Sequence, residues 1–262
     1  MELGIAGKTA FVAGGSKGIG RAAALLLGRE KCRVAVIARG QEAIDETVAE
    51  IIAAGGEAIG VSADLRSREG VAAALDAVRA NYGDPDIVVG QTSEGAKGEF
   101  WDLDDEAFEN AFRTFTMGAL YLARATLPAM RAKKWGRYVH IGSGTAKEPE
   151  TRFPHILSNT ARPSTAGLLK SLADDVAIDG VTVNTVAPGW IHTPAFEEHF
   201  AKRGMTLEEG HEWLRTVIRI PAGRAGDPEE IASTVVYLCS DPAGYINGNW
   251  IVVDGGKHRS IF

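Results

Sequence analysis

A doubly wound α/β domain, with a mostly parallel seven-stranded sheet and helices on both faces, is predicted by three features of the sequence. Short β-rich apolar runs recur at 8–13, 33–38, 57–62, 86–90, 137–142, 181–187 and 250–253. Segments of helical period lie between them, among them 19–30, 41–54 and 67–82. A glycine-rich turn, AGGSKGIG, joins the first run to the first helical segment. Continuous apolar strands need cover on both faces, and right-handed crossovers then wind the sheet in two directions, the Rossmann-type arrangement. No linker or internal repeat divides the chain, so residues 1–262 read as one domain.

The first run, KTAFVA, delivers the chain into the glycine turn. Glycines there permit tight geometry and close approach, while the following helix directs unpaired N–H groups and the positive end of its dipole at a diphosphate. Gly14, Ser16, Lys17, Gly18, Ile19 and Gly20 are the candidate phosphate-binding residues. The second run ends at Ala38 and Arg39, where an NAD site would place a carboxylate against the ribose 2′-hydroxyl. No acid stands there to repel a 2′-phosphate, and Arg39 with Lys17 would clamp one, which favours NADP(H).

The fourth run is followed by a polar stretch, 91–104 (QTSEGAKGEFWDLD), where an open α/β sheet places ligand-binding loops. Residues 190–222 exceed a minimal crossover and read as a substrate lid of short helices, or as a decorative insertion. A net charge of -6, with both signs scattered, supplies no basic stripe for nucleic acid. Cys32 and Cys239 lack metal-site or disulfide-framework spacing, so no metal is expected and both read as small buried residues. The N-terminus has no signal-peptide order, and no apolar run approaches the roughly 18 to 20 residues that span a bilayer, so a cytoplasmic location is expected.

AGGSKGIG, the aspartate of SADLRS, GRYVHIGS, VTVNTVAPGWIHTP, GRAGDPEEIA and YINGNWIVVDGG together resemble the short-chain dehydrogenase/reductase family, over essentially the full length. The resemblance implies that Asp64 and Leu65 lie beside the adenine, that Thr92 belongs with the cofactor residues, and that Pro188 and Gly189 pass the nicotinamide. It also implies that Ile191 and Thr193 hold the carboxamide, and that the chain forms a homodimer or homotetramer through helices at about 104–130 and 156–178. Of the family's Asn-Ser-Tyr-Lys set, Ser143 matches the serine. The tyrosine position falls on Ser158, the lysine position on Arg162 and the asparagine position on Phe115.

A tyrosine in this role donates a proton as hydride arrives, with a lysine lowering its pKa from about 10. Serine is a far weaker acid, and an arginine of pKa above about 12 does not relay a proton. Tyr121 lies on the preceding helix and is a possible substitute donor. Ser143, Ser158 and Arg162 retain hydrogen bonding and a fixed positive charge, with Arg162 one helical turn after Ser158. His155, His192 or water would then supply the proton; His155, three residues before Ser158, is better placed, while His140 reads as a core residue. Trp101, Phe115, Phe153, Trp190 and Phe196 are candidates for an apolar pocket wall, and Arg152 with Arg162 for an anion contact.

These features predict an NADP(H)-dependent oxidoreductase acting by hydride transfer on a carbonyl, alcohol or other polarised double bond of a small molecule, without the usual Tyr/Lys acid. Two alternatives stay open. One is a catalytically silent NADP-binding scaffold subunit. The other is non-redox elimination or lyase chemistry, suggested by a partial similarity to halohydrin dehalogenases, whose retained tyrosine and altered cofactor loop do not match this chain.

Overall fold

A computed structural model describes residues 1–91 and 97–261. Seven strands form one sheet: β1 (Thr9–Ala13), β2 (Arg33–Ala38), β3 (Glu57–Ser62), β4 (Ile87–Gln91), β5 (Gly136–Ile141), β6 (Val181–Pro188) and β7 (Trp250–Val253). Their order is β3-β2-β1-β4-β5-β6-β7, and each of the six neighbouring pairs is parallel. The expected mostly parallel sheet is parallel throughout. Strand order reverses between β1 and β4, the point at which the carboxyl ends of an open sheet leave a crevice.

Alternation along the strands divides the core in two. Ala10 and Val12 of β1, Val34 and Val36 of β2, and Val139 and Ile141 of β5 face one layer. That layer contains α1 (Gly18–Arg29), α2 (Gln41–Ala53) and α9 (Pro228–Leu238). Phe11, Ala13, Ile37, Val88 and Tyr138 face the other, made by α3 (Arg68–Tyr82), α5 (Gly118–Lys133) and α6 (Ile156–Val176). Burial on both sides explains why the strands are unbroken apolar runs. Cys32 and Cys239 are buried and unpaired by disulfide; burial pushes the Cys32 thiol up to about 12.

Two local departures from regular helix set up the cleft. Helix α4 (Asp105–Phe112) runs into α5 through a π-helical turn at Arg113–Met117, which carries Phe115. Pro163 lies inside α6 and cannot donate a backbone hydrogen bond. The two irregularities meet: the Thr116 hydroxyl bonds the Ala161 carbonyl at 3.3 Å and the Ser164 hydroxyl at 2.6 Å. Residues 190–222 contain α7 (Pro194–Ala201) and α8 (Leu207–Trp213). Phe196, Phe200, Leu214 and Ile218 form a small core of their own, with Phe153 and Trp190 packed against it. Among the described residues, no helix is long and apolar enough to cross a membrane, and no group of three or more His, Cys, Asp or Glu residues is arranged to hold a metal ion.

Candidate active site

The glycine turn at the end of β1 is built for close approach. Gly14 and Gly18 have positive φ, 64° and 53°. A Cβ on Gly20 would run into the Gly14 carbonyl and lie 2.7 Å from Gln91 Oε1. Gln91 Oε1 is buried with no hydrogen-bond partner among the described residues. Lys17 caps α1 without a side-chain bond, and the first turn of that helix carries no acid. The N-terminal amides and the dipole are therefore directed at the crevice. These features fit a dinucleotide diphosphate.

A groove of about 610 Å³ runs from this turn and is lined by Gly14, Ser16, Lys17, Arg39, Asp64 and Leu65 among others. Arg66 also lines it. The Arg66 guanidinium bonds both oxygens of Asp64, from 2.6 to 3.1 Å, and holds that carboxyl down to about 2. Thr92 lies outside the described residues.

A second cavity of about 280 Å³ continues on the other side of the turn. Ile19, Pro188, Gly189, Ile191 and Thr193 line it together with Ser143, His155, Ser158 and Arg162. Gly18 packs against Thr193, whose Cγ2 lies 3.2 Å from the position a Cβ would take. Four predicted catalytic residues from two separate segments thus share one space with the predicted nicotinamide-side residues.

Hydrogen bonding inside that space has a consistent direction. Arg162 Nε donates to Ser158 Oγ at 2.8 Å, and the guanidinium stacks over the ring of buried Phe115 at 4.5 Å. Ser143 Oγ accepts from the Thr145 amide at 3.3 Å and from the Thr145 hydroxyl at 3.2 Å. Behind it, His140 is buried and lines the larger groove. Burial, and secondarily the positive charge of Arg162, push the imidazole down to about 3.

The model of the enoyl-(acyl carrier protein) reductase family matches residues 13–258. The chain belongs to the short-chain dehydrogenase/reductase family. A 3-oxoacyl-(acyl-carrier-protein) reductase of Pseudomonas aeruginosa is 35% identical over 266 residues, covering 98% of this chain and 100% of the relative. Among solved structures, the L-sorbose reductase of Gluconobacter frateurii, complexed with NADPH and L-sorbose, aligns with a TM-score of 0.93 at 30% identity, covering 100% of both chains. An NADPH-bound short chain oxidoreductase from Pseudomonas aeruginosa PAO1, described as containing an atypical catalytic center, aligns with a TM-score of 0.90 at 27% identity, over 98% of this chain and 99% of that one.

Within this short-chain dehydrogenase/reductase, other expectations come apart. Phe153, Trp190 and Phe196 line the smaller cavity; Trp101 is exposed, and Phe115 is buried beneath Arg162 rather than in the wall. Arg152 does not join Arg162: it bonds Glu150 and lines a neighbouring groove with Arg219 and Arg259. His192 pairs with Glu197 at 3.1 Å, and Tyr121 packs against the α3/α5/α6 core under Arg68. Neither lines the cavity.

Sequence reasoning missed Lys97, Glu150, His199, Lys257 and His258, all of which line it. Lys257 and His258 follow β7 at its carboxyl end, the side of the sheet from which ligand loops project, and that placement was the available signal.

Proposed function

We propose that this chain is an NADP(H)-dependent carbonyl reductase that works with Ser143, Ser158 and Arg162 in place of the family's Tyr/Lys acid. The observation that carries the reading is the polarity of the two hydroxyls. Arg162 donates into Ser158 Oγ and Thr145 donates into Ser143 Oγ, so each serine accepts from the protein and keeps its own O–H for a substrate oxygen. Two such donors, with a guanidinium behind one of them, stabilise charge developing on a carbonyl oxygen.

Lys17 and Arg39 hold the 2′-phosphate end of the cofactor, the glycine turn holds its diphosphate, and Pro188, Gly189, Ile191 and Thr193 face the nicotinamide. When bound, NADPH supplies the hydride. His155, in the cavity wall, would as the imidazolium give the carbonyl oxygen its proton and return to the neutral ring, leaving an alcohol. Phe115 and Arg162 form a stacked pair that keeps the guanidinium beside Ser158. Helices α7 and α8 form the cover of the substrate side, and small-molecule carbonyl compounds are the substrates. A homo-oligomer and a cytoplasmic setting accompany this reading. The solved oxidoreductase described as having an atypical catalytic center while holding NADPH supports the view that cofactor binding survives a changed centre.

The test is NADPH titration followed by NADPH consumption across a panel of carbonyl compounds. Binding and turnover are expected, and Ser143→Ala and Arg162→Ala should each lower kcat on the order of a hundredfold while NADPH Kd moves less than about threefold. Retained binding with no turnover across the panel would return the molecule to the scaffold reading.

A further inference from the structure

The charges around the smaller cavity run against the rest of the molecule. The chain carries a net charge of -6, yet the cavity wall holds Lys97, Arg162 and Lys257 against a single carboxylate among its described lining residues, Glu150. That carboxylate is already shared. Its Oε1 accepts from the Arg152 backbone amide at 3.0 Å and from Arg152 Nε at 3.2 Å, while Lys257 Nζ lies 3.4 Å from Oε2. One negative charge is thus divided between two cations, and among the described lining residues cations outnumber carboxylates, with Glu198 near Lys97 and with Glu148 and Asp254 beside His258 behind them. Lys97 is exposed, nearer to solvent than Lys257, and its positive charge acts on Glu198.

Lys257 is held where it is by its neighbours in the tail. Asp254 accepts from the Gly256 amide at 2.9 Å, from the His258 amide at 2.8 Å and from His258 Nδ1 at 2.7 Å. His258 Nε2 reaches the Gly144 carbonyl at 3.0 Å, next to Ser143. The ring lies so close to Gly144 that a Cβ there would collide with it. The tail after β7 is therefore pinned to the turn that carries Ser143. The Lys257 side chain is 16% exposed, so its ammonium is part of the wall rather than a solvated surface charge. Phe153, Trp190 and Phe196 supply an apolar wall in the same cavity.

Resting on the carbonyl-reductase reading, we propose that the substrate is a short oxo acid whose carboxylate is bound by Lys257, with Lys97 at the rim, while its carbonyl meets Ser143 and Ser158. The cavity of about 280 Å³ would hold the nicotinamide as well as the substrate, which leaves room only for a short acid. The apolar wall takes the carbon skeleton between the two polar ends. Charge-assisted bonds from a partly desolvated ammonium give the acid its advantage over a neutral analogue of the same shape.

The experiment compares a short oxo acid, its methyl ester and a phosphate-bearing ketone of similar length, reading both calorimetric binding to the NADPH-loaded protein and kcat/KM. The acid should exceed the ester by about tenfold to a hundredfold in each measure, and exceed the phosphate compound as well. Lys257→Gln should collapse the acid-to-ester ratio toward one, with NADPH Kd unchanged; Lys97→Gln should reduce the ratio by a smaller factor. Equal handling of acid and ester overturns the proposal. So does Lys257→Gln lowering both substrates alike, which marks a structural role, or a weakened NADPH Kd, which assigns the lysine to the cofactor. A preference for the phosphate compound replaces the carboxylate with a different anion and also overturns it. Acid-selective binding without any turnover leaves the anion site standing and removes the reductase reading, whereas turnover without acid preference does the reverse.

Discussion

The proposed adenosine end of the cleft is lined from the ends of three strands near the start of the chain, β1, β2 and β3: Lys17 with the glycine turn, Arg39, and Asp64 with Leu65. The proposed catalytic end gathers Lys97 from the loop after β4, Ser143 and Glu150 from the loop after β5, and Ser158 and Arg162 from α6. Pro188 to Thr193 enter from the end of β6, and Lys257 and His258 from the tail after β7. The first is a set of local solutions, each stated by a few adjacent residues. The second is an assembly of distant segments, in which the role of any one side chain depends on what the others bring. Phe115, Ser158 and Arg162 form one connected group here through stacking and a 2.8 Å hydrogen bond.

The contrast is open to attack at its sharpest point, the glycine turn. Gly20→Ala places a methyl group against the Gly14 carbonyl and Gln91, and should weaken NADPH binding on the order of a hundredfold or more in calorimetric titration, with the far-ultraviolet circular dichroism retained. Retained affinity would show that the turn does not approach the cofactor. A smaller effect is expected at the next strand end. Arg39→Ala should cost NADPH about tenfold in Kd while leaving NADH within about threefold, since only the 2′-phosphate is lost as a partner. Equal losses for both cofactors would move Arg39 away from the phosphate.

The mildest test concerns the catalytic end and its buried surroundings. His140 is held neutral in the fold, down to about pH 3, by burial and then by Arg162, whereas the unfolded chain takes up a proton near pH 6.5. The unfolded state therefore binds more protons between those values, and the contribution to stability, full above about pH 6.5, is lost as pH falls toward 3. His140→Gln should flatten the acid limb of the unfolding midpoint against pH across that window. An unchanged limb would place the proton uptake elsewhere.

The strands were legible because apolar runs bounded by turns need no tertiary information, and all seven appear within a residue or two of their expected limits. The pairing of Ser158 with Arg162 was legible too, since a four-residue spacing on one helix brings side chains together. The π-helical turn at Arg113–Met117 had no sequence signal of its own. It joins two ordinary helices and meets α6 across a gap of more than 40 residues through Thr116, which donates to the Ala161 carbonyl. Arg152 illustrates the opposite error: close in sequence to Ser158, it turns away because Glu150 offers both a carboxylate and the acceptor for its backbone amide.

By itself the sequence determined the sheet, its two covered faces and the cofactor turn, because hydrophobic period and glycine geometry act over a few residues. Tertiary structure alone decided the electrostatics of the substrate side. Glu150 and Lys257, more than 100 residues apart in the chain, pair at 3.4 Å in the wall of one cavity, and such a contact arises only when distant charges are brought together and removed from water.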